Sequence, residues 1–252
     1  MIVRSRSPAE LVEAFAESDL ENIVGVQLLS LLADVDPLAD WGYAVPVELI
    51  MHDPVTEFAL LYRYAKLLDK HPVRASIPAV PGLCKAVKVA SALQFAVKLE
   101  LGQPGPGALE EMLAVLDLYI HHTSISQPIE FFHSSFLSFY YRTPMTLWEL
   151  QEDNPIYMRY VGEDGVERVA RRLVSASMTG EMCAFVENLQ AELMTGQAEC
   201  CSCEFFENCG GYFKWPDRDY RCDGVKRIFR TLKDAADELR RDLMTYKNER
   251  GG

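Results

Sequence analysis

Five of the seven cysteines in this 252-residue sequence lie within its residues 200–222, where their spacing points to metal chemistry. Cys200 and Cys203 form a Cx2C pair, Cys209 follows after five residues, and Cys222 follows after a further 12. Four thiolates from one short segment can converge on a soft metal centre, either a [4Fe–4S] cluster or a tetrahedral zinc ion. A structural zinc site usually presents two compact CxxC-type pairs, and only the first pair here is compact. The spacing therefore favours iron–sulfur and leaves Zn²⁺ as the alternative.

The other cysteines have simpler interpretations. Cys201 is expected to pack beside the metal centre without binding it, since adjacent cysteines rarely bind the same metal in this arrangement. Cys84 and Cys183 lie in apolar helical contexts and are expected to be core residues, because free cysteine is among the most buried residue types. Gly210 and Gly211 directly after Cys209 suit a sharp backbone turn beside a metal site.

The segment from Cys200 onward resembles the C-terminal half of the SPASM domain, which is attached to radical SAM enzymes that modify peptides and proteins. The resemblance lies in Cx2Cx5C followed by GG, an aromatic-rich stretch, a late CDG and a basic amphipathic helix. It implies that Cys200, Cys203, Cys209 and Cys222 bind one auxiliary [4Fe–4S] cluster. The family's ligand to a second cluster falls on Phe213, which cannot bind iron, so the resemblance implies one cluster only.

The rest of the chain shows a fainter resemblance to the radical SAM barrel. His52, Asp53 and Pro54 stand where that family has a GGEP turn contacting its cofactor, so both glycines and the glutamate are replaced. The CxxxCxxC motif that binds the S-adenosylmethionine-cleaving cluster is absent from the sequence. The resemblance thus implies a degenerate barrel without radical SAM activity of its own.

The elements expected to position these residues alternate in type. Strand character is found at 45–51, 73–80 and 95–101, and 128–141 is expected to be an aromatic-rich strand or buried segment. Helical spacing is found at 8–18, 56–70 with Thr56 as its N-cap, 83–93, 108–122, 165–176, 181–195 and 225–245. Such strand–helix units argue for parallel strands with crossover helices, either in an open sheet or in part of a barrel. The last helix is expected to bury Ile228, Phe229, Leu232, Ala236 and Leu239 on one side.

Together these patterns predict an α/β fold with two domains. Residues 1–178 are expected to form a degenerate, radical SAM-like partial β/α barrel. Residues 179–252 are expected to form a small cysteine-rich SPASM-like module with a C-terminal helix.

Composition excludes several classes of function. The 37 acidic and 25 basic residues give a formal net charge of −12, which argues against a nucleic-acid binder because such binding rests on cationic contacts to phosphate. No apolar run approaches the roughly 20 residues that span a bilayer, and the first residues carry no apolar signal segment. We therefore expect a cytoplasmic protein with reduced cysteines.

The resemblance implies an accessory protein rather than an enzyme. Its implied partners are a radical SAM/SPASM enzyme and a precursor peptide or peptide-carrier protein, and its cluster is expected to serve electron relay, structure or docking. One alternative is a small-molecule enzyme with its site at the strand ends and His52, Asp53 and His133 as acid–base groups. A zinc-stapled binding protein is the other alternative.

Overall fold

The chain divides into two compact units, residues 1–130 and 131–252. The computed structural model describes residues 2–15, 21, 23–42, 44–123, 125–158, 160–161, 167–173, 184–195 and 199–250. The domain boundary predicted between residues 178 and 179 lies outside the described residues, within the second unit.

The first unit is built on a six-stranded parallel sheet whose strands lie side by side in chain order. This confirms the prediction of an α/β fold with parallel strands. The strands predicted at 45–51, 73–80 and 95–101 are also confirmed. The sequence does not predict the first two strands, because four residues carry too little alternation to stand out. The six strands are β1 (Ile2–Ser5), β2 (Gly25–Leu28), β3 (Val47–Ile50), β4 (Val73–Pro78), β5 (Ala96–Glu100) and β6 (Ile129–Glu130).

Helices connect these strands. The helices predicted at 83–93 and 108–122 are confirmed, and the helix predicted at 8–18 is confirmed as far as residue 14. The α-helices of this unit are α1 (Pro8–Ala14), α2 (Asp36–Asp40), α3 (Pro54–Glu57), α4 (Leu83–Ala92) and α5 (Pro106–His121), and a 3-10 helix (Phe58–Asp69) continues α3.

The start of the helix predicted at 56–70 is wrong, because its N-cap is Asp53 and not Thr56. The Asp53 carboxylate accepts hydrogen bonds from the Val55 N–H at 3.0 Å and from the Thr56 hydroxyl at 2.8 Å. Pro54 takes the first helical position, where a missing N–H costs nothing. The helix therefore begins two residues earlier than predicted.

One face of the sheet is apolar. Residues paired across neighbouring parallel strands point to the same face. One such row runs through five strands and consists of Leu28, Leu49, Ala75, Val97 and Ile129. All five side chains are buried, and α4 packs on β4 and β5. The core of the first unit lies on this face.

The opposite face is polar and yet buried. Gln27, Glu48 and Arg74 are paired across β2, β3 and β4, and Ser76 pairs with Lys98 across β4 and β5. Gln27, Glu48, Ser76 and Lys98 are each less than 8% exposed. Gln27, Arg74 and Ser76 all bond to the Glu48 carboxylate, as buried polar groups require partners. Lys98 pairs with Glu100 at 3.3 Å.

The second unit is mainly helical. The helices predicted at 181–195 and 225–245 are confirmed among its described residues. Its elements are α6 (Phe132–Tyr141), α7 (Leu147–Leu150), α8 (Phe185–Thr195), α9 (Phe206–Cys209), α10 (Asp223–Arg250), the antiparallel pair β7 (Tyr160–Val161) and β8 (Glu167–Arg168), and three 3-10 helices (Arg171–Leu173, Glu199–Ser202 and Tyr212–Lys214).

Two predictions of secondary structure in this region are wrong. For 128–141, the strand alternative is wrong, because only the two residues of β6 are a strand and the aromatic segment after them is α6. The alternative of a buried segment is met in part, since Phe131 and Phe132 are fully buried. Phe132 and Phe139 are two helical turns apart, and Phe139 packs edge-on against Phe205 and Phe229 at ring-centroid distances of 6.2 Å. The helix predicted at 165–176 is instead β8 and a 3-10 helix where it is described, because pairing with β7 overrides helical propensity.

The last helix supplies much of the second unit's core. Val225, Ile228, Phe229, Leu232 and Ala236 are at most 2% exposed, as the predicted helix face requires. The prediction that Leu239 is buried on the same side is wrong, because its side chain is 40% exposed. Near Leu239, α10 reaches the C-terminal end of α6, where Arg240 bonds to the carbonyls of Phe139 and Tyr140. No helix among the described residues is long and apolar enough to span a membrane.

Candidate metal centre

The four predicted metal ligands lie in short helices of the second unit or in the turns beside helices. Cys200 lies in the 3-10 helix Glu199–Ser202, and the Cys203 N–H donates to its carbonyl at 3.2 Å. Cys209 is the last residue of α9. Cys222 immediately precedes α10, and its carbonyl accepts from the Lys226 N–H at 2.8 Å. Each cysteine therefore sits at a helix end or turn, where the local backbone fixes its position.

The structure brings these four cysteines to one cavity. Cys200 and Cys222 are buried, and Cys203 and Cys209 are half-buried. The rest of the wall is made of apolar side chains and of three charged residues: Phe205, Phe206, Phe213, Val225, Phe229, Glu199, Lys214 and Lys226. Four thiols with an apolar surround form a donor set that fits a [4Fe–4S] cluster. Phe213, at the position of the family's ligand to a second cluster, is a wall of this cavity.

The turn after Cys209 requires two glycines. Gly210 has φ +58° and Gly211 has φ +73°, a conformation that costs glycine least. A Cβ at Gly211 would lie 2.4 Å from Cδ1 of Leu193, so the Leu193 side chain would have to move to make room for it. The indole N–H of Trp148 donates to the Gly210 carbonyl at 2.9 Å, and this hydrogen bond stabilises the turn. The glycine pair thus lets the chain turn sharply after the third cysteine, and Phe213 and Lys214 beyond the turn line the same cavity.

Burial favours the protonated form of three of these thiols when no metal binds them. It raises the pKa of Cys200, Cys222 and Cys209, the last to about 11. Backbone N–H groups of Phe213 and Tyr212 bond to the Cys209 sulfur and oppose that rise. Neighbouring cysteines add to it, because like charges would gather in a small space. A bound metal would therefore release protons, as thiolate ligands require.

Three charged residues flank the cysteines. Glu199 accepts from Lys214 Nζ and from Lys226 Nζ, each at 2.8 Å. Lys214 also donates to the Tyr220 carbonyl at 2.6 Å, and its side chain is only 7% exposed. Burial would raise the pKa of Glu199, but hydrogen bonds from the two lysines and the Cys222 N–H lower it to about 2. The group holds two positive charges and one negative charge at the cavity wall.

The thiols do not converge on a single ion. Within the described parts of the chain, no three His, Cys, Asp or Glu side chains are placed to hold one metal ion. Tetrahedral zinc needs four ligands within about 2.3 Å of one centre. A cubane places each thiolate on a different iron, so its ligands stand farther apart. All four donors are thiols, which suit either centre.

Cys201 and Cys84 do not line the cavity. Cys201 is exposed, does not line the cavity, and its thiol donates to the Leu193 carbonyl at 3.2 Å. Cys84 lies on α4, half-buried rather than fully buried, and its N–H donates to the Glu111 carboxylate at 2.9 Å. Cys183 lies outside the described residues.

The acid–base groups of the alternative enzyme have local structural roles. Asp53 caps α3, and hydrogen bonds from Thr56 and Val55 lower the pKa of its carboxyl. The His52 ring lies 3.1 Å from the Leu29 carbonyl. His133 belongs to the second unit, on α6. Local structure thus accounts for His52 and Asp53 without catalysis.

Sequence reasoning misses the charged residues of the cavity. Lys226 follows Cys222 by four residues, one helical turn, and Glu199 directly precedes Cys200, so both could have been found from their spacing. Lys214 carries no such signal, because its burial results from the fold around it.

Comparison with protein-family models, with curated proteins and with solved structures finds no match to this chain.

Proposed function

We propose that this chain is an accessory iron–sulfur protein of a radical SAM peptide-modification system. Cys200, Cys203, Cys209 and Cys222 would hold one [4Fe–4S] cluster. The chain would act beside a radical SAM/SPASM enzyme and a precursor peptide or peptide-carrier protein. Its lack of a CxxxCxxC motif supports a helper role rather than radical generation.

One observation carries this proposal: the selection of four thiols out of five. Cys201 is next to Cys200 in the chain, yet only Cys200 lines the cavity with the other three cysteines. The four that meet there are the four implied by the SPASM resemblance. A cluster bound by four cysteines supplies one-electron transfer and leaves no iron open to substrate. These properties support electron relay, a structural role or partner docking over Lewis-acid catalysis.

The proposal includes a degenerate partial barrel in the first unit. Six parallel strands in chain order support it. When every crossover is right-handed and runs in the same direction, all the connecting helices lie on one face of the sheet. The sheet can then curve so that its other face becomes the inside of a barrel. A doubly wound sheet would reverse its strand order at a switch point. The polar face of this sheet is also buried, as expected of a face that lines the inside of a barrel.

The first prediction tests the ligands by iron content. Anaerobically purified protein is expected to be brown and to hold about four irons and four sulfides per chain. Cys203→Ala should lose most of the iron, because one corner of the cubane has no ligand. Iron and sulfide analysis with absorption and electron paramagnetic resonance spectra of the reduced protein provides the measurement.

Cys201→Ala is the matched control and should keep its iron. Equal iron loss in Cys201→Ala and Cys203→Ala would contradict the ligand assignment, and colourless protein containing zinc would reject the cluster. Cleavage of S-adenosylmethionine by the isolated, reduced chain would reject the accessory role.

A further inference from the structure

The charged residues at the cysteine cavity form a fixed arrangement. Lys214 and Lys226 line the cavity and are bridged by the carboxylate of Glu199. Their side chains are 7% and 25% exposed, so water screens them less than surface lysines. The wall therefore carries a net charge of +1 from these three groups.

A cation at this place favours electron uptake. One-electron reduction of a cluster by an external donor adds a negative charge inside the cavity, with no bond broken and no proton required. Nearby positive charge stabilises that product more than the oxidised state, and net charge is one of the factors that set cluster potentials.

We propose that Lys214 and Lys226, held at the cavity by Glu199, raise the reduction potential of the cluster, an inference that rests on the proposed function. Glu199 is a positioning residue in this arrangement. Its two oxygens each hold one lysine, so neither ammonium group turns out to solvent. Its own negative charge partly offsets theirs.

The second prediction is a redox titration of the reconstituted full-length chain with dithionite as electron donor. Lys226→Met should lower the equilibrium constant for reduction about tenfold, which is 59 mV for a one-electron couple. Lys226→Arg keeps the charge and should stay near the wild-type potential. Glu199→Gln should raise the potential, because it removes a negative charge while its amide oxygen still accepts from a lysine.

Lys233→Met is the matched control on the same helix. Lys233 pairs with Glu204 and does not line the cavity, so its removal should leave the potential unchanged. Iron content is measured in every sample, and potentials are compared at equal content. If Lys226→Met loses its cluster, Glu199→Gln still decides the direction of the shift.

Two failures are distinguishable. Potentials of Lys226→Met and Glu199→Gln that equal the wild-type value, with the cluster present, overturn this inference and leave the proposed function intact. Wild-type protein that takes up no iron and sulfide overturns the proposed function, and the inference with it.

Discussion

At the scale of single residues, Glu48 shows how a carboxylate is accommodated inside the sheet. Its side chain is 8% exposed, and it accepts from Gln27 at 2.7 Å, from Arg74 at 2.9 Å and from the Ser76 hydroxyl. Burial raises the pKa of Glu48, but the charges of Arg74 and Lys98 and the hydrogen bonds bring it below 4.5. The carboxylate is thus ionised and fully partnered at neutral pH.

The third prediction concerns acid stability. Glu48→Gln should lower the free energy of unfolding by about 2 kcal/mol at pH 7, because Arg74 loses its charge partner. Since the pKa of Glu48 is lower in the folded state, its contribution is complete above pH 4.5 and is lost as pH falls through the folded value. The difference between wild type and variant should therefore shrink between pH 7 and pH values below 4.5 in urea titrations.

Glu13→Gln serves as the control for this variant. Glu13 is exposed on α1, so its substitution should change stability by less than about 0.5 kcal/mol. A Glu48→Gln deficit that stays constant with pH would show that the ion pair is not its cause.

At the scale of elements, the second unit depends on the packing of α6 against α10. Phe131 and Phe139 of the α6 region contact Phe229 edge-on. Arg240 of α10 then donates to the carbonyls of Phe139 at 2.6 Å and Tyr140 at 2.7 Å. Both carbonyls lie in the last turn of α6, where helical N–H donors run out. The backbone N–H of Arg142 reaches the Phe139 carbonyl at 3.3 Å, and Arg240 adds a charged donor to both carbonyls. One helix thereby caps the other.

The fourth prediction removes this cap. Arg240→Met should lower the free energy of unfolding by about 1–2 kcal/mol, because it leaves the α6 carbonyls without their charged donor. Arg241→Met is the control, since the Arg241 side chain is exposed and donates to the Asp237 carbonyl of its own helix. Thermal or urea unfolding gives both values. An equal loss in the two variants would mean that capping of α6 contributes nothing.

At the scale of the whole molecule, two units carry different chemistry. The first holds a parallel sheet with an apolar and a polar face, and the second holds the cysteine cavity. All four cysteines and the three charged residues beside them belong to the second unit. A metal bound there stabilises only the state in which these elements are folded.

The fifth prediction is that removal of the proposed cluster destabilises the second unit and leaves the first unit unchanged. After treatment with an oxidant and a chelator, amides between residues 199 and 232 should lose protection from hydrogen exchange, because their turns depend on the bound cluster. Amides of β3, β4 and β5 should keep theirs. Hydrogen exchange of the full chain, read by mass spectrometry with and without the cluster, measures both. Equal loss in the strands would contradict this local coupling.

The sequence by itself determined the α/β class, the strands β3, β4 and β5, and the helices α4, α5, α8 and α10, and it supplied the candidate ligands as a prediction. Helical and strand periodicity reports burial within one element, so α4, α5 and α10 were predictable from their own residues. Cx2Cx5C spacing likewise lies within one short segment. The aromatic residues of 128–141 did not predict the helix α6, because large apolar side chains suit a buried strand and a buried helix alike.

Only the tertiary structure decided which groups meet. The rows that make one sheet face polar join residues more than 20 positions apart, and lateral pairing between strands leaves no local signal. Lys214 becomes a buried cation at the cysteine cavity through contacts with Glu199 and Tyr220. Side-chain direction and long-range packing arise from the folded chain as a whole, so no segment of it encodes them alone.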